Sequence, residues 1–281
     1  MSRQTSQKIA FALLTAAAVV VVVPIVLVII YIIIQGIGAI NWEFLTAMPR
    51  NGMREGGILP AIVGTVVLTF GTAITSIPLA VGAAIYLAEY ARDTWLTRLI
   101  RLAIINLAGI PSVVYGLFGL GLFVLFLRLR TSLIAGSLTL GLMTLPVVIS
   151  TAEEAILAVP QSFRVVSISL GGTRWQTIRH QVLPQALPGI LTGVILGLER
   201  AAGETAPILF TVAAFYLPRL PHSPFDQTMA LPYHLYVIAT QVPGMPVDVQ
   251  YGTALVLLVL VLSMNVVATL IRSRFRRRRQ W

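Results

Sequence analysis

Arg200 and Glu204 lie, together with Glu199, inside an apolar stretch running from about Leu187 to Phe210 of this 281-residue chain. One Arg or acidic side chain at the centre of a bilayer costs about 2.5–3.5 kcal/mol on insertion scales, so such groups face a bundle interior or water. Four residues apart on a helix, Arg200 and Glu204 share a face and can pair, whereas Glu199 is turned towards another helix or an interface. A guanidinium offers planar, bidentate donation to an oxyanion. An adjacent carboxylate would hold it in place and keep the anion from being trapped. Thr205 completes the candidate anion path of Arg200, Glu204 and Thr205. The plainer alternative is an ion pair that ties two helices together.

Other chemistry is excluded by composition. With 0 Cys there is no thiolate, disulfide or Cys-based metal site. The single Lys, Lys8, rules out a G-x-x-x-x-G-K-[ST] phosphate loop, so any ATP hydrolysis belongs to a separate chain and no cofactor is expected in this one. His180, His222 and His234 lack metal-binding spacing, and G-x-S-x-G is missing. Gly116, Gly119 and Gly121 lie in an apolar run without a preceding strand and read as packing residues. These absences argue against an enzyme. A transporter or channel working without ATP stays open, with Glu199, Arg200 and Glu204 as its only intramembrane ionisable groups.

The elements that position these residues are membrane helices. The chain is 57% hydrophobic and 11% charged, with a mean hydropathy of +0.89, too apolar for one soluble core. Charge-poor runs, of which about 20 residues suffice to cross, extend over Ile9 to Ile34, Ile58 to Ala88, Leu102 to Leu127, Thr131 to Ala152, Leu187 to Phe210 and Tyr251 to Ile271. Six spans put both termini on one side. The first run exceeds a cleavable signal in length and reads as a retained signal-anchor helix. Of 20 Lys and Arg, 14 fall on the side holding the termini and five on the other, so the termini are expected in the cytoplasm. The net charge of +10 sits at the edges of apolar runs, so the Arg-rich tail reads as a membrane anchor beside lipid and not as a nucleic-acid site. Pro78, Pro111 and Pro146 interrupt the second, third and fourth spans, and the freed carbonyls call for protein or water neighbours.

The longest cytoplasmic segment, Glu153 to Pro184, has a helical pattern. Pro160 opens a helix whose Phe163, Val166 and Leu170 share a face, and Gly171-Gly172 ends it. A second short helix is expected from Thr173 and Gln176 in capping-box spacing, with Trp175, Ile178 and Val182 as its apolar stripe. Arg164, Arg174, Arg179 and His180 are too dispersed for a DNA face. Large anchors such as Phe163 and Trp175 favour docking of a cytoplasmic partner over a lid.

The stretch FRVVSISLGGTRWQTIRHQVLP, Phe163 to Pro184, resembles the cytoplasmic "EAA" loop of ABC importer permeases. Gly171, Leu183 and Pro184 match its pattern, while the triplet itself is Val165, Val166 and Ser167 and lacks the Glu. IPSVVYGLFGL (Ile110 to Leu120), LPVVISTAEEAILAVP (Leu145 to Pro160) and RAAGETAPILFT (Arg200 to Thr211) resemble the PstA-type permease of phosphate importers, and the resemblance covers roughly Gly57 to Ile271. It implies an all-α, six-span bundle of the type I ABC importer permease kind in the inner (cytoplasmic) membrane. Residues 1–56 would form the anchor span and an extracytoplasmic segment, residues 57–271 the transport domain with a coupling loop at 153–184, and residues 272–281 a basic cytoplasmic tail. The implied partners are a second, related permease subunit, a cytoplasmic ATPase dimer that binds ATP and Mg, and an extracytoplasmic phosphate-binding protein facing the segment from Tyr216 to Gln250. Inorganic phosphate would be the substrate, with another oxyanion as the alternative. ATPase coupling would fall to Phe163, Arg164, Leu170, Gly171, Trp175, Leu183 and Pro184.

Overall fold

A computed structural model describes residues 3–277. Among these, five helices are long and apolar enough to cross a membrane, or six if one bent pair forms a single span. Helix α1 (Arg3–Gly36) leads to short α2 (Trp42–Thr46), whose first turn is closed by the Asn41 side chain accepting from the Phe44 N–H at 2.8 Å. A small hairpin pairs β1 (Pro49–Arg50) antiparallel with β2 (Glu55–Gly56). Helix α3 (Leu59–Ile85) runs on through a π-helical turn, Tyr86–Tyr90. Helices α4 (Trp95–Ala108) and α5 (Ser112–Gly119) follow, α5 continuing in π-helical form to Phe126. Helix α6 (Leu133–Leu157) precedes a hairpin of α7 (Gln161–Ser169) and α8 (Arg174–Thr177). The chain then forms α9 (Leu183–Gly203), α10 (Ala206–Thr211), α11 (Leu231–Thr240) and α12 (Val247–Arg277).

Three expected elements differ in detail. The run from Leu102 to Leu127 is bent by 104° between α4 and α5, because Pro111 has no N–H to give and pushes the residue before it out of helical geometry. The run from Leu187 to Phe210 is broken as well. Helix α9 ends at Gly203, and α10 starts afresh with Pro207 in its first turn, so Glu204 and Thr205 sit in the gap. The second hairpin helix does not stop at Pro184. Its capping box of Thr173 and Gln176 forms, but a π-helical turn, Ile178–Val182, carries it into α9, with Pro184 tolerated in the first turn. At the other end Glu153 belongs to α6, which extends to Leu157. Arg278 and Arg279 of the basic tail lie outside the described residues.

Helices α3, α6 and α9 form the centre, and they approach closely because Gly faces small hydroxylated residues across each seam. A Cβ on Gly71 would collide with the Ser137 side chain, one on Gly141 with Thr75, and one on Gly193 with Thr151. The buried hydroxyls of Thr65, Thr69, Thr72 and Ser76 each donate to the carbonyl one turn back in α3, at 2.7 to 2.8 Å, which satisfies them without water. One apolar cluster, at the end near the α7–α8 hairpin, gathers Leu87, Val148, Ile156, Val182 and Ile190. The other, at the far end, gathers Phe44, Leu140, Met143, Ile208, Leu231 and Ile238. Helix α1 is exposed along its apolar length and packs on α12, where Gly36 lies against the Tyr251 and Gly252 backbone and Tyr31 meets Tyr251 edge to face at 5.4 Å.

Candidate substrate path and candidate docking surface

Arg200 and Glu204 do meet: Nε of Arg200 donates to Oε1 of Glu204 at 3.3 Å, with the Arg side chain 37% and the Glu 18% exposed. The pair is held by a helix end. Arg200 occupies the last turn of α9, about 25 Å along the axis from Leu183 at 1.5 Å per residue, and Glu204 is the first residue past its end, extended at φ −75° and ψ 135°. Thr205 links the two helices, its carbonyl accepting from Leu209 N–H at 3.2 Å. Glu199 points elsewhere, into an apolar crevice between α9 and α12 bounded by Leu198, Met264 and Ala268, where its Oε1 is buried with no hydrogen-bond partner.

The fold brings the sequence's distinctive segments together here. Gly116 of α5 abuts α10, so closely that a Cβ would lie 3.0 Å or less from the Phe210 ring, the Ala206 carbonyl and Cα of Pro207. Tyr115 beside it is buried, donates to the Leu107 carbonyl at 2.8 Å, and lies within electrostatic reach of Arg200. Gly189, Gly193 and Gly197 of α9 fit against Ala155, Thr151 and Val148 of α6. Tyr115 was not singled out from the sequence. Its signal was one polar-tipped residue in an apolar run next to Gly.

The segment from Tyr216 to Gln250 is more than a surface loop. Leu231, Tyr233, His234, Val237 and Ile238 of α11 are buried in the core at the far end from the hairpin. Before α11, the Asp226 carboxylate accepts the His222 and Ser223 N–H groups at 2.9 and 3.1 Å, which holds its pKa below the ordinary range.

At the hairpin of α7 and α8, an open groove of about 500 Å³ is lined by Phe163, Val166, Leu170, Gly172 and Gln181 among others. Leu170 is 84% and Trp175 51% exposed, so apolar anchors stand free on this surface. Gly171 adopts φ +83°, the left-handed turn between the helices, and the hydroxyls of Ser167 and Thr177 bond across it at 2.8 Å. Leu183 and Pro184 are half-buried at the start of α9, against the core. Arg164 turns away from the groove towards Glu89.

Residues 77–281 match the family model of the binding-protein-dependent transport system inner membrane component. The chain is 34% identical over 95% of its length, and of theirs, to the probable ABC transporter permease protein YqgI of Bacillus subtilis. It is 36% identical to the phosphate transport system permease protein PstA 1 of Mycobacterium tuberculosis over 80% of this chain and 72% of that one. For the probable phosphate transport system permease protein PstA of Methanocaldococcus jannaschii the figures are 33%, 84% and 82%. Among solved structures, an inward-facing MetNI methionine ABC transporter chain aligns with a TM-score of 0.64 at 16% identity, covering 78% of this chain and 95% of that one. A bacterial ABC transporter for import of the polysaccharide alginate gives 0.61 at 15%, covering 96% and 99%, so the fold is that of ABC importer permeases. The family match, the relatives and the shared bundle together identify the chain as a member of the multi-pass inner membrane components of binding-protein-dependent transport systems.

Proposed function

We propose that the chain is the PstA-type permease subunit of an ATP-driven importer of inorganic phosphate. Membership of the family implies an ATPase and a binding protein as partners and makes the chain a transport component, not an enzyme. The finer assignment is carried by one observation: the PstA-like segments Ile110 to Leu120 and Arg200 to Thr211 pack on each other at Gly116, with Tyr115 in electrostatic reach of Arg200, while Leu145 to Pro160 packs along the helix that carries Arg200. The kinship with PstA proteins over most of the chain supports it.

In this reading phosphate leaves an extracytoplasmic phosphate-binding protein seated over the segment from Tyr216 to Gln250. It then passes between this chain and a second, related permease. Arg200 replaces part of the anion's hydration with two parallel donors, and Glu204 competes for the same guanidinium, so that the anion is released. Thr205, in the break after α9, offers a hydroxyl beside the pair. Two ATPase subunits sit below, one of them seating the Phe163–Val166–Leu170 groove and the Trp175 ring. Both termini face the cytoplasm, residues 57–271 form the transport domain, and residues 1–56 add the anchor and an extracytoplasmic segment.

The test is uptake of radiolabelled phosphate in cells lacking this chain and again after its restoration, with excess sulfate or molybdate as competitor. Restored uptake that ignores both competitors is the expected result. Uptake suppressed by either would give the path to another oxyanion.

A further inference from the structure

Glu89 is a buried acid in an unfavourable place. It lies in the π-helical turn that ends α3, 8% exposed, where the helix dipole already presents partial negative charge. What holds it there is Arg164, on the first helix of the cytoplasmic hairpin and itself 12% exposed. Nε and Nη2 of Arg164 donate to Glu89 Oε1 at 3.0 and 2.6 Å. The same guanidinium reaches the end of α6. Nη1 donates to the Val159 carbonyl at 2.6 Å and Nη2 to the Ile156 carbonyl at 2.9 Å, the latter shared with the Val159 N–H at 3.3 Å. From the hairpin's other helix, Arg174 donates to the Glu89 carbonyl and lies over the Tyr90 ring, 5.0 Å from its centre.

Such a pair is a poor device for stability alone, because desolvating two charges cancels much of their attraction. It is a good device for fixing geometry. One side chain joins three elements, and its planar fork leaves little freedom at the joint. Val166 and, just past the helix end, Leu170 are exposed on the helix that carries Arg164, so the outer side of α7 presents apolar surface while its inner side is fastened.

We infer that Glu89 and Arg164 form the latch through which movement of the ATPase, received by the hairpin, is delivered to α3 and α6 and so to the anion path. This rests on the ATPase docking proposed above. Glu89 and Arg164 are positioning residues: neither touches the substrate, and both act by fixing the hairpin to the bundle.

The test uses the whole complex with its ATPase, second permease and binding protein in liposomes, and reads phosphate moved per ATP hydrolysed at equal ATPase content. Glu89→Gln should assemble and lower that ratio about tenfold, the stimulated hydrolysis being lost or running without transport. Arg164→Lys keeps the charge but not the fork, and should lower the ratio less. The double variant should be no worse than Glu89→Gln, since both changes break one joint. Glu89→Asp, with a shorter reach, gives the same reading if Gln impairs assembly. A wild-type ratio in Glu89→Gln and Glu89→Asp, or losses that multiply in the double variant, overturns the latch. Failure of the phosphate reading shows differently: the unaltered complex would then fail to respond to phosphate-loaded binding protein.

Discussion

The hydroxyl of Thr65, buried in α3, accepts the backbone N–H of Leu231 at 2.8 Å and so caps a helix 166 residues further along the chain. Helix α11 needs this. Ala230 before it offers no capping side chain, and Pro232 within its first turn has no donor. Next to Thr65, Gly64 lets the Met229 carbonyl press against α3, where a Cβ would collide with it. The segment from Tyr216 to Gln250 is therefore bolted to the second span.

Replacing Thr65 by Val keeps the shape and orphans the Leu231 N–H. The thermal midpoint of the detergent-solubilised complex should fall by the equivalent of about 1–3 kcal/mol, while Thr65→Ser stays near wild type. Equal midpoints for Val and Ser would show that the cap contributes nothing.

Gly116 and Gly82 make a matched pair. Valine at Gly116 must displace the backbone of Ala206 and Pro207, moving α10 and the Glu204–Thr205 break, whereas Gly82 faces open space within 4 Å. Gly116→Val should cut uptake severely and Gly82→Ala should leave it intact, measured per assembled complex.

On the proposed anion path, Arg200→Gln should leave assembly intact and abolish uptake, and Arg200→Lys should retain part of it, since the charge survives without the fork. If the pair only ties helices, Arg200→Gln should instead reduce the amount of complex, and adding Glu204→Gln should recover it. Normal uptake by that double variant would remove the pair from the path.

At the hairpin surface, Trp175→Ala is expected to weaken capture of the ATPase by about 2 kcal/mol, or roughly thirtyfold in affinity. Leu170→Asp should do the same without disturbing the latch, because its side chain is exposed. Undiminished co-purification and coupling in both would make the hairpin a lid.

Asp226 predicts a pH window. Its folded pKa is depressed by two backbone N–H donors, so its contribution is complete above the unfolded value near 4 and is lost as pH falls through the lower folded value. Proteolysis around His222 to Asp226 should be flat from about pH 8 to pH 5 and rise only at stronger acidity. Asp226→Asn should be cleaved readily across the whole range.

The sequence was most readable where a local rule acts alone. The capping box at Thr173 and Gln176 and the Arg200–Glu204 pair follow from spacings of three or four residues, and the helix stop at Gly171-Gly172 takes the form of a left-handed turn at Gly171. Breaks were harder. Pro111 and Pro207 announce an interruption, but the 104° turn and the restart at Ala206 depend on what packs beside them. Arg164 was read with the docking surface from its place in the loop, yet its side chain turns inwards because Glu89, 75 residues earlier, is the acid it meets. Tyr115 and Thr65 matter through equally distant partners, and no periodicity encodes those.

The bend at Pro111 also governs sidedness by simple parity. Helix α4 has 14 residues, about 21 Å of rise, and α5 with its π-helical continuation spans Ser112 to Phe126, about 22 Å, so neither alone traverses a hydrocarbon slab about 30 Å thick. Counted as one crossing, the pair makes the total even and returns Arg272 and Arg274 to the side on which the chain began. Counted as none, the total is odd, and the last helix delivers its arginines to the opposite compartment. Whether the two limbs beside Pro111 cross together thus decides on which face of the membrane Arg272 and Arg274 emerge.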